Sequence, residues 1–301
     1  MAPLRRRVAL DGPIDLALTL GVFVRGRKDP HMRREADGTW WRAMRSPDGP
    51  CTLAVRVADG VLECEAHGPG AAWALEIAPD LVGARDDSSG FAPTGFMREL
   101  HRRFPGMRIP RAHTVLQVLT LVIFEQKVVG KQAWQAHYGL AQLLGETAPG
   151  PVPLLLPAAP AKLAALPYYE LHRVGVERRR AETLIRVAKH AAILDRLPTL
   201  ALDDAKARLG ALRGIGPWSV AEVARLSLGD ADAVSVGDYH LPRLVNYNLT
   251  GDDGDADDAR MLELLAPFAG HRGRVQRLLE IGGRKLPRRG PRLAPIPLHR
   301  R

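Results

Sequence analysis

One carboxylate and one glycine turn carry most of the chemistry this chain offers. The stretch from Leu209 to Val245 reads LGALRGIGPWSVAEVARLSLGDADAVSVGDYHLPRLV. A short helix ends near Leu209, Leu212 turns inward, and Gly214-Ile215-Gly216 makes a tight turn into a helix opened by Pro217. Two glycines one residue apart let the backbone take torsions closed to other residues, and proline at the first helical position costs no hydrogen bond. Such a turn presents free N–H groups at the positive end of a helix, where a phosphate binds. A helix-hairpin-helix of this kind grips the DNA backbone without reading bases. An ordinary helical hairpin with a glycine turn is the alternative. Twenty-two residues beyond Gly216 stands Asp238, just before a helix read over Tyr239–Asn246. As its N-cap, Asp238 would accept backbone N–H bonds, which favour the ionised form. A carboxylate so held against a flipped nucleotide could stabilise an oxocarbenium-like sugar and orient water, as glycosidases do at an anomeric carbon. A helix cap with no catalytic part is the other reading.

The elements that must position these residues divide the chain of 301 residues in two. Residues 1–105 are β-rich. Thr39–Ala43 follows the turn signal Asp37-Gly38, and Leu53, Val55 and Val57 alternate up to Asp59-Gly60, which turns the chain into Leu62, Cys64 and Ala66. Period-two patterning on both sides of Asp-Gly is a strong hairpin signal. Asp15–Val24 and Ala71–Ile77 are read as helices covering one sheet face. Residues 106–283 are helical: Thr114–Phe124 is apolar nearly all round, and Lys131–Leu144, Arg178–Ile193, Asp203–Leu209, Pro217–Leu228, Ala259–Phe268 and Arg274–Ile281 have helical spacing. Thr147–Pro160 is read as a linker with five prolines.

Composition narrows the classes. The longest apolar run, Val115–Phe124, is too short to span a bilayer, and Asp11, Pro13 and Asp15 break up any signal peptide. Cys51 and Cys64 are too few for a disulfide framework or an iron–sulfur cluster. The net charge is +10, and seven of the cations fall in residues 284–301, which hold no acid and are read as an extended basic tail suited to a polyanion or simply solubilising. Asp252, Asp253, Asp255, Asp257 and Asp258 lack EF-hand spacing and are read as a solvated loop capping the next helix.

The chain resembles the bacterial 3-methyladenine DNA glycosylase II family, within the helix-hairpin-helix DNA glycosylase superfamily, over roughly residues 1–283. The resemblance rests on Gly-Ile-Gly-Pro-Trp-Ser (214–219) followed by Asp232-Ala-Val-Ser-Val-Gly-Asp238-Tyr239. It extends to Phe104-Pro-Gly-Met-Arg-Ile-Pro110, Ile123-Phe-Glu-Gln-Lys-Val128 and Val174-Gly-Val-x-x-x-Arg-Ala181. It implies an α+β protein, with an N-terminal TBP-like antiparallel sheet domain before an all-α helix-hairpin-helix glycosylase body. It also implies a monomeric, cytoplasmic, nucleoid-associated enzyme that acts on duplex DNA with damaged bases in base excision repair. Asp238 would be the catalytic carboxylate, Trp218 and Tyr239 would line the base pocket, and Gln126, Lys127 and Val128 would fall where the family inserts a wedge into the minor groove. Gly214, Ile215, Gly216, His240 and Arg243 would contact the DNA backbone. Lyase members carry a Schiff-base lysine two residues after the second hairpin glycine. Trp218 stands there and has no amine, so a monofunctional, cofactor-free glycosylase is expected. The carbonyls of Leu212, Gly214 and Gly216 could hold a Na⁺ or K⁺ ion.

The sequence departs from the family at Glu222, where relatives have a pocket aromatic. With Glu125 beside the wedge, it suggests a cationic alkylated purine as substrate. In the alternative reading Glu222 pairs with Arg225, and Glu125 with a nearby cation. Lys127 fills a gap in a base stack poorly, which leaves Val128 as the wedge tip. A glycosylase for hypoxanthine or an oxidised purine, and a damage-binding protein without turnover, remain open on sequence alone.

Overall fold

The computed structural model describes residues 2–287. The basic segment beyond Pro287 lies outside the described residues. Five antiparallel strands form one sheet: β1 (Leu4–Ala9), β2 (Met32–Arg34), β3 (Trp40–Ser46), β4 (Gly49–Ala58) and β5 (Val61–His67), in spatial order β1-β5-β4-β3-β2. The Asp-Gly signal closes the β4–β5 hairpin as read. Ala58 pairs with Val61 across Asp59 and Gly60, whose φ angles of 50° and 71° are those of the primed turn that matches strand twist. The edge strands β1 and β2 were not read from sequence. Charged, exposed arginines fill half of β1 and two of the three residues of β2, which suits an edge and hides the period-two signal.

Fourteen α-helices are described. Helix α1 (Leu16–Leu20), capped by Asp15, and α2 (Ala71–Leu81) cover the sheet, and α3 (Gly95–Arg103), absent from the sequence reading, leads into the helical part. There α4 (Val115–Glu125), α5 (Gly130–Leu144), α6 (Pro160–Ala165), α7 (Tyr168–Arg173), α8 (Arg178–Ala188) and α9 (Ala191–Leu194) follow in order. The hairpin region comprises α10 (Leu202–Gly210) and α11 (Pro217–Val223), and the chain ends in α12 (Leu241–Thr250), α13 (Asp258–Leu265) and α14 (Arg272–Gly282).

Both faces of the sheet are covered. Met44, Leu53, Val55, Leu62 and Cys64 join α4, α5, α8 and α11 in one continuous core. On the opposite face Trp41 and Ala43 pack against Ala148, Val152, Leu154 and Leu156. The proline-rich stretch read as a linker is therefore a packed layer, tied down by bonds such as Leu155 N–H to the Pro30 carbonyl at 2.8 Å. A second core joins α3, α12, α13 and α14 through Met97, Leu100, Val245, Met261, Val275 and Leu278. The segment 229–240 bridges the two, with Ala233 in the first core and Val234 in the second, which places Asp238 at their seam.

Candidate active site and nucleic-acid interface

The hairpin forms as read, with one change. Gly214 has φ of +95°, and a Cβ there would fall 2.5 Å from Thr183 Oγ1, so both backbone and space require glycine. Gly216 is extended (φ −95°) and a Cβ there would meet nothing, so it needs no special torsion and leaves the turn open to an approaching ligand. Pro217 opens α11, and its first turn precedes the first intrahelical bond, Val220 N–H to Gly216 O at 3.0 Å. Ile215 was expected among the DNA contacts, but its side chain is buried in the core and its N–H donates to Leu212 O at 3.0 Å.

Pro217–Leu228 is not one α-helix. It widens to a π-turn at Ala224–Leu228, where Ala112 and His113 donate to the carbonyls of Leu226 and Ser227 (3.1 Å each), and it ends on left-handed Gly229.

Asp238 is held on three sides. Its Oδ1 accepts from the N–H of His240 and Leu241, both at 2.8 Å, and its Oδ2 accepts from the indole Nε1 of Trp218 at 3.2 Å. The helix starts two residues later than read, at Leu241, yet the carboxylate still closes its first turn. The Asp238 N–H donates to Ser235 O at 3.1 Å, and the preceding Gly237 N–H donates to the Asp258 carboxylate at 3.0 and 3.1 Å. Asp258, read only as part of a solvated acidic loop, thus anchors the segment, while Asp257 caps α13 as expected. No signal in the sequence ties Asp258 to Gly237, because the contact spans 21 residues.

Tyr239 is 88% exposed, its ring edge-on to that of His240 with centroids 4.8 Å apart, so it closes no preformed slot. Arg243, expected on the DNA backbone, is committed inward: its Nε donates to Asp253 O at 3.0 Å and its Nη2 to Pro287 O at 3.3 Å.

At the wedge, Gln126 joins the loop to the hairpin through bonds from Nε2 to Gly214 O (3.1 Å) and Ser219 Oγ (2.9 Å). Lys127 is the exposed tip and has φ of 54°, a strained value for a residue with a side chain. Val128, the expected tip, is partly buried against the main core, so the exposed position of the loop falls to Lys127.

Both glutamates take the pairing alternative. Glu222 is buried and receives two bonds from Arg225 Nη2 (3.0 and 2.9 Å) and one from Ser235 Oγ. Burial pushes its carboxyl up, but Arg225 and Ser235 more than offset this and hold it below the usual range. Gln276 completes the network, accepting from Ser235 N–H (3.1 Å) and donating to Ser235 Oγ (3.0 Å) and Glu280 (2.8 Å). Glu125 pairs with Arg25 at 2.7 Å and keeps 26% of its side chain exposed. Burial raises its carboxyl above the usual range despite that arginine.

The three hairpin carbonyls suit a hard monovalent cation in donor type, but each already accepts one bond. Leu212 O takes Ile215 N–H (3.0 Å), Gly216 O takes Val220 N–H, and Gly214 O takes the Gln126 amide. One lone pair per oxygen is left for an ion. No His, Cys, Asp or Glu group among the described residues could hold a metal, and no described helix is long and apolar enough to cross a membrane.

This architecture, a five-stranded antiparallel sheet before a helical body with a Gly-Ile-Gly hairpin, is the helix-hairpin-helix glycosylase fold. In fold the chain is similar to the 3-methyladenine DNA glycosylase from Archaeoglobus fulgidus, with a TM-score of 0.77 at 18% identity over 91% of this chain and 97% of that one. It is also similar to the 8-oxoguanine glycosylase/lyase of Clostridium acetobutylicum, with a TM-score of 0.71 at 12% identity over 93% and 98% of the two chains. In sequence it is 30% identical over 106 residues to YfjP of Bacillus subtilis (strain 168), provisionally named a DNA-3-methyladenine glycosylase. That match spans 34% of this chain and 37% of the relative. No family model matches. The resemblance to 3-methyladenine DNA glycosylases carried by the motifs thus recurs among relatives in sequence and in fold.

Proposed function

We propose that the chain is a monofunctional DNA glycosylase that flips damaged purines, alkylated and cationic ones foremost, out of duplex DNA and hydrolyses their glycosidic bond. The observation that carries this reading is Asp238: an ionisable carboxylate fixed by two backbone N–H groups and the Trp218 indole, on a segment braced by Asp258, within a hairpin fold. Three of its lone pairs are taken. The remaining one, on Oδ2, is available for the reaction.

As the bond from C1′ to the base nitrogen lengthens, its electron pair leaves with the base and positive charge develops on the sugar. The nearby carboxylate stabilises that charge and orients the water that attacks C1′. The water proton passes to Asp238 or to solvent, giving the free base and an abasic sugar. A cationic N-alkylpurine leaves as a neutral base and needs no general acid, which suits a site with a single reacting carboxylate. Trp218 supports hydrolysis over lyase chemistry, because its indole nitrogen has no lone pair for a Schiff base and already donates to Asp238. Backbone N–H groups of the hairpin hold phosphate, and Lys127 at the tip of the wedge loop enters the gap left by the flipped nucleotide.

Single-turnover base release from duplexes carrying N3- or N7-methylpurine, hypoxanthine or 8-oxoguanine tests the reading, with Asp238→Asn alongside. Methylpurine release by the wild type that is lost in Asp238→Asn, with DNA affinity retained and no borohydride-trapped adduct, is expected. Release that survives in Asp238→Asn would refute the assignment of the carboxylate. Tight binding without release from any duplex would favour a damage-binding protein.

A further inference from the structure

Helix α5 starts three residues after the wedge tip, and its outer face is not what a solvated helix carries. Trp134 and Tyr138, one turn apart, are 46% and 47% exposed. At 1.5 Å per residue Trp134 lies only about 6 Å along the axis from the start of the helix, beside the wedge. The indole rests on the Gly26-Arg27-Lys28 loop; a Cβ on Gly26 would sit 3.4 Å from Trp134 Cε3. That loop is fixed to the wedge from the other side, since Arg25 pairs with Glu125, two residues before Lys127.

The surroundings of the indole are cationic. Arg27, Lys28, Lys127 and Lys131 are exposed, and none has an ion-pair partner among the described residues. Across the wedge, α8 is docked to the end of α4 by Arg180 Nη1 donating to Phe124 O at 2.9 Å, and Arg178 at its N-terminus lies over the Tyr168 ring. An exposed indole set among unpaired cations matches the chemistry of an unpaired polynucleotide, in which bases stack on aromatics and phosphates meet Lys and Arg. An intact duplex hides its base faces and cannot use the indole.

We propose that Trp134, with Arg27, Lys28 and Lys131, is a stacking shelf for unpaired DNA nucleotides next to the wedge. It would engage a strand frayed or gapped beside the lesion. The inference rests on the reading of the chain as a DNA-binding protein but not on the role of Asp238.

The test measures affinity for oligo(dT), for a gapped duplex and for an intact duplex, by anisotropy and by quenching of tryptophan fluorescence. Trp134→Ala is expected to weaken oligo(dT) and gapped-duplex binding about tenfold, with Trp134→Phe restoring much of it and intact-duplex binding changed less than twofold. Arg27→Ala with Lys131→Ala should flatten the log–log salt slope for oligo(dT) by about 1.4 units, ~0.7 per lost phosphate contact. Because these side chains are surface-exposed, the variants should fold. Unchanged oligo(dT) binding in Trp134→Ala, with duplex binding intact, overturns the shelf alone. Failure of the wild type to bind any of the three DNAs overturns the shelf together with the DNA-binding reading.

Discussion

Replacing Glu222 should cost stability and leave lesion preference alone. Its carboxylate is filled by Arg225 Nη2 and the Ser235 hydroxyl, and Arg225, also buried, has Glu280 at 3.7 Å as its only other ion-pair partner among the described residues. In Glu222→Leu the guanidinium loses its main partner and Ser235 loses its acceptor. Breaking a buried pair from one side costs about 3–5 kcal/mol. With an unfolding entropy of about 2.1 cal/mol/K per residue over the 301 residues, that lowers Tm by roughly 5–8 °C. Glu222→Gln keeps an acceptor for Ser235 and should lie between. The contribution is electrostatic and follows the carboxyl's depressed titration: it is present in full above the ordinary value of 4.5 and is lost as pH falls through and below it. The gap in Tm between wild type and Glu222→Gln should therefore close in acid. Scanning calorimetry from pH 3.5 to 7.5 reads this, with relative release rates on methylpurine and hypoxanthine duplexes alongside. A variant with wild-type Tm and a changed lesion ratio would refute the argument and return Glu222 to the base pocket.

Two further perturbations follow from buried or strained groups. His31, packed with His137, Asp29 and Arg42, is depressed to about 4 by burial first and by His137 next. An unfolded histidine binds its proton near 6.5, so His31 stabilises the fold above that pH, and about 3 kcal/mol is lost as pH falls from about 6.5 to about 4. Urea titrations of His31→Gln should show a flatter stability slope in that window, and an unchanged slope would place the titration elsewhere. Lys127→Gly removes a side chain from a left-handed φ and should raise stability by about 0.5–1 kcal/mol. The same change should slow base release at least several-fold; undiminished release would show that Lys127 does not fill the stack.

What could be read from sequence follows from how local each constraint is. The β4–β5 hairpin was legible because Asp59 and Gly60 alone dictate a primed turn. The Gly214 turn was legible for the same reason. Edge strands β1 and β2 were not, because the arginines that protect an edge erase alternation. Helix α3 buries only Met97 and Leu100 of its nine residues, too few for a stripe. Within the site, the Glu222–Arg225 pair was visible at helical spacing, but Ser235, Gln276 and Asp258 reach their partners across 13, 41 and 21 residues. Such contacts leave no periodic trace. Val128 packs against the main core because a β-branched residue beside an apolar helix has core to bury in, which leaves the exposed position to Lys127.

The way segment 229–240 is held argues for a site set before substrate arrives. Lys206 on α10 pairs with Asp230 (3.1 Å), Arg272 at the start of α14 binds Asp232 (2.9 Å), Glu222 on α11 and Gln276 on α14 share Ser235, and Asp258 on α13 takes the Gly237 N–H. Four helices thus fix alternate points of one loop, and Trp218 from the hairpin helix touches the carboxylate itself. The hairpin is in turn linked to the wedge by Gln126, whose amide bonds both Gly214 O and Ser219 Oγ. The hairpin turn, the base of the 126–128 loop and the Asp238 carboxylate are therefore parts of one braced unit. An electrostatic stabiliser gains most when its dipoles need no reorganisation during the reaction. The exposed side chains of Tyr239 and of Lys127 at the loop tip make none of these bracing bonds, so movement on DNA binding should be confined to them, while Asp238 keeps its three donors.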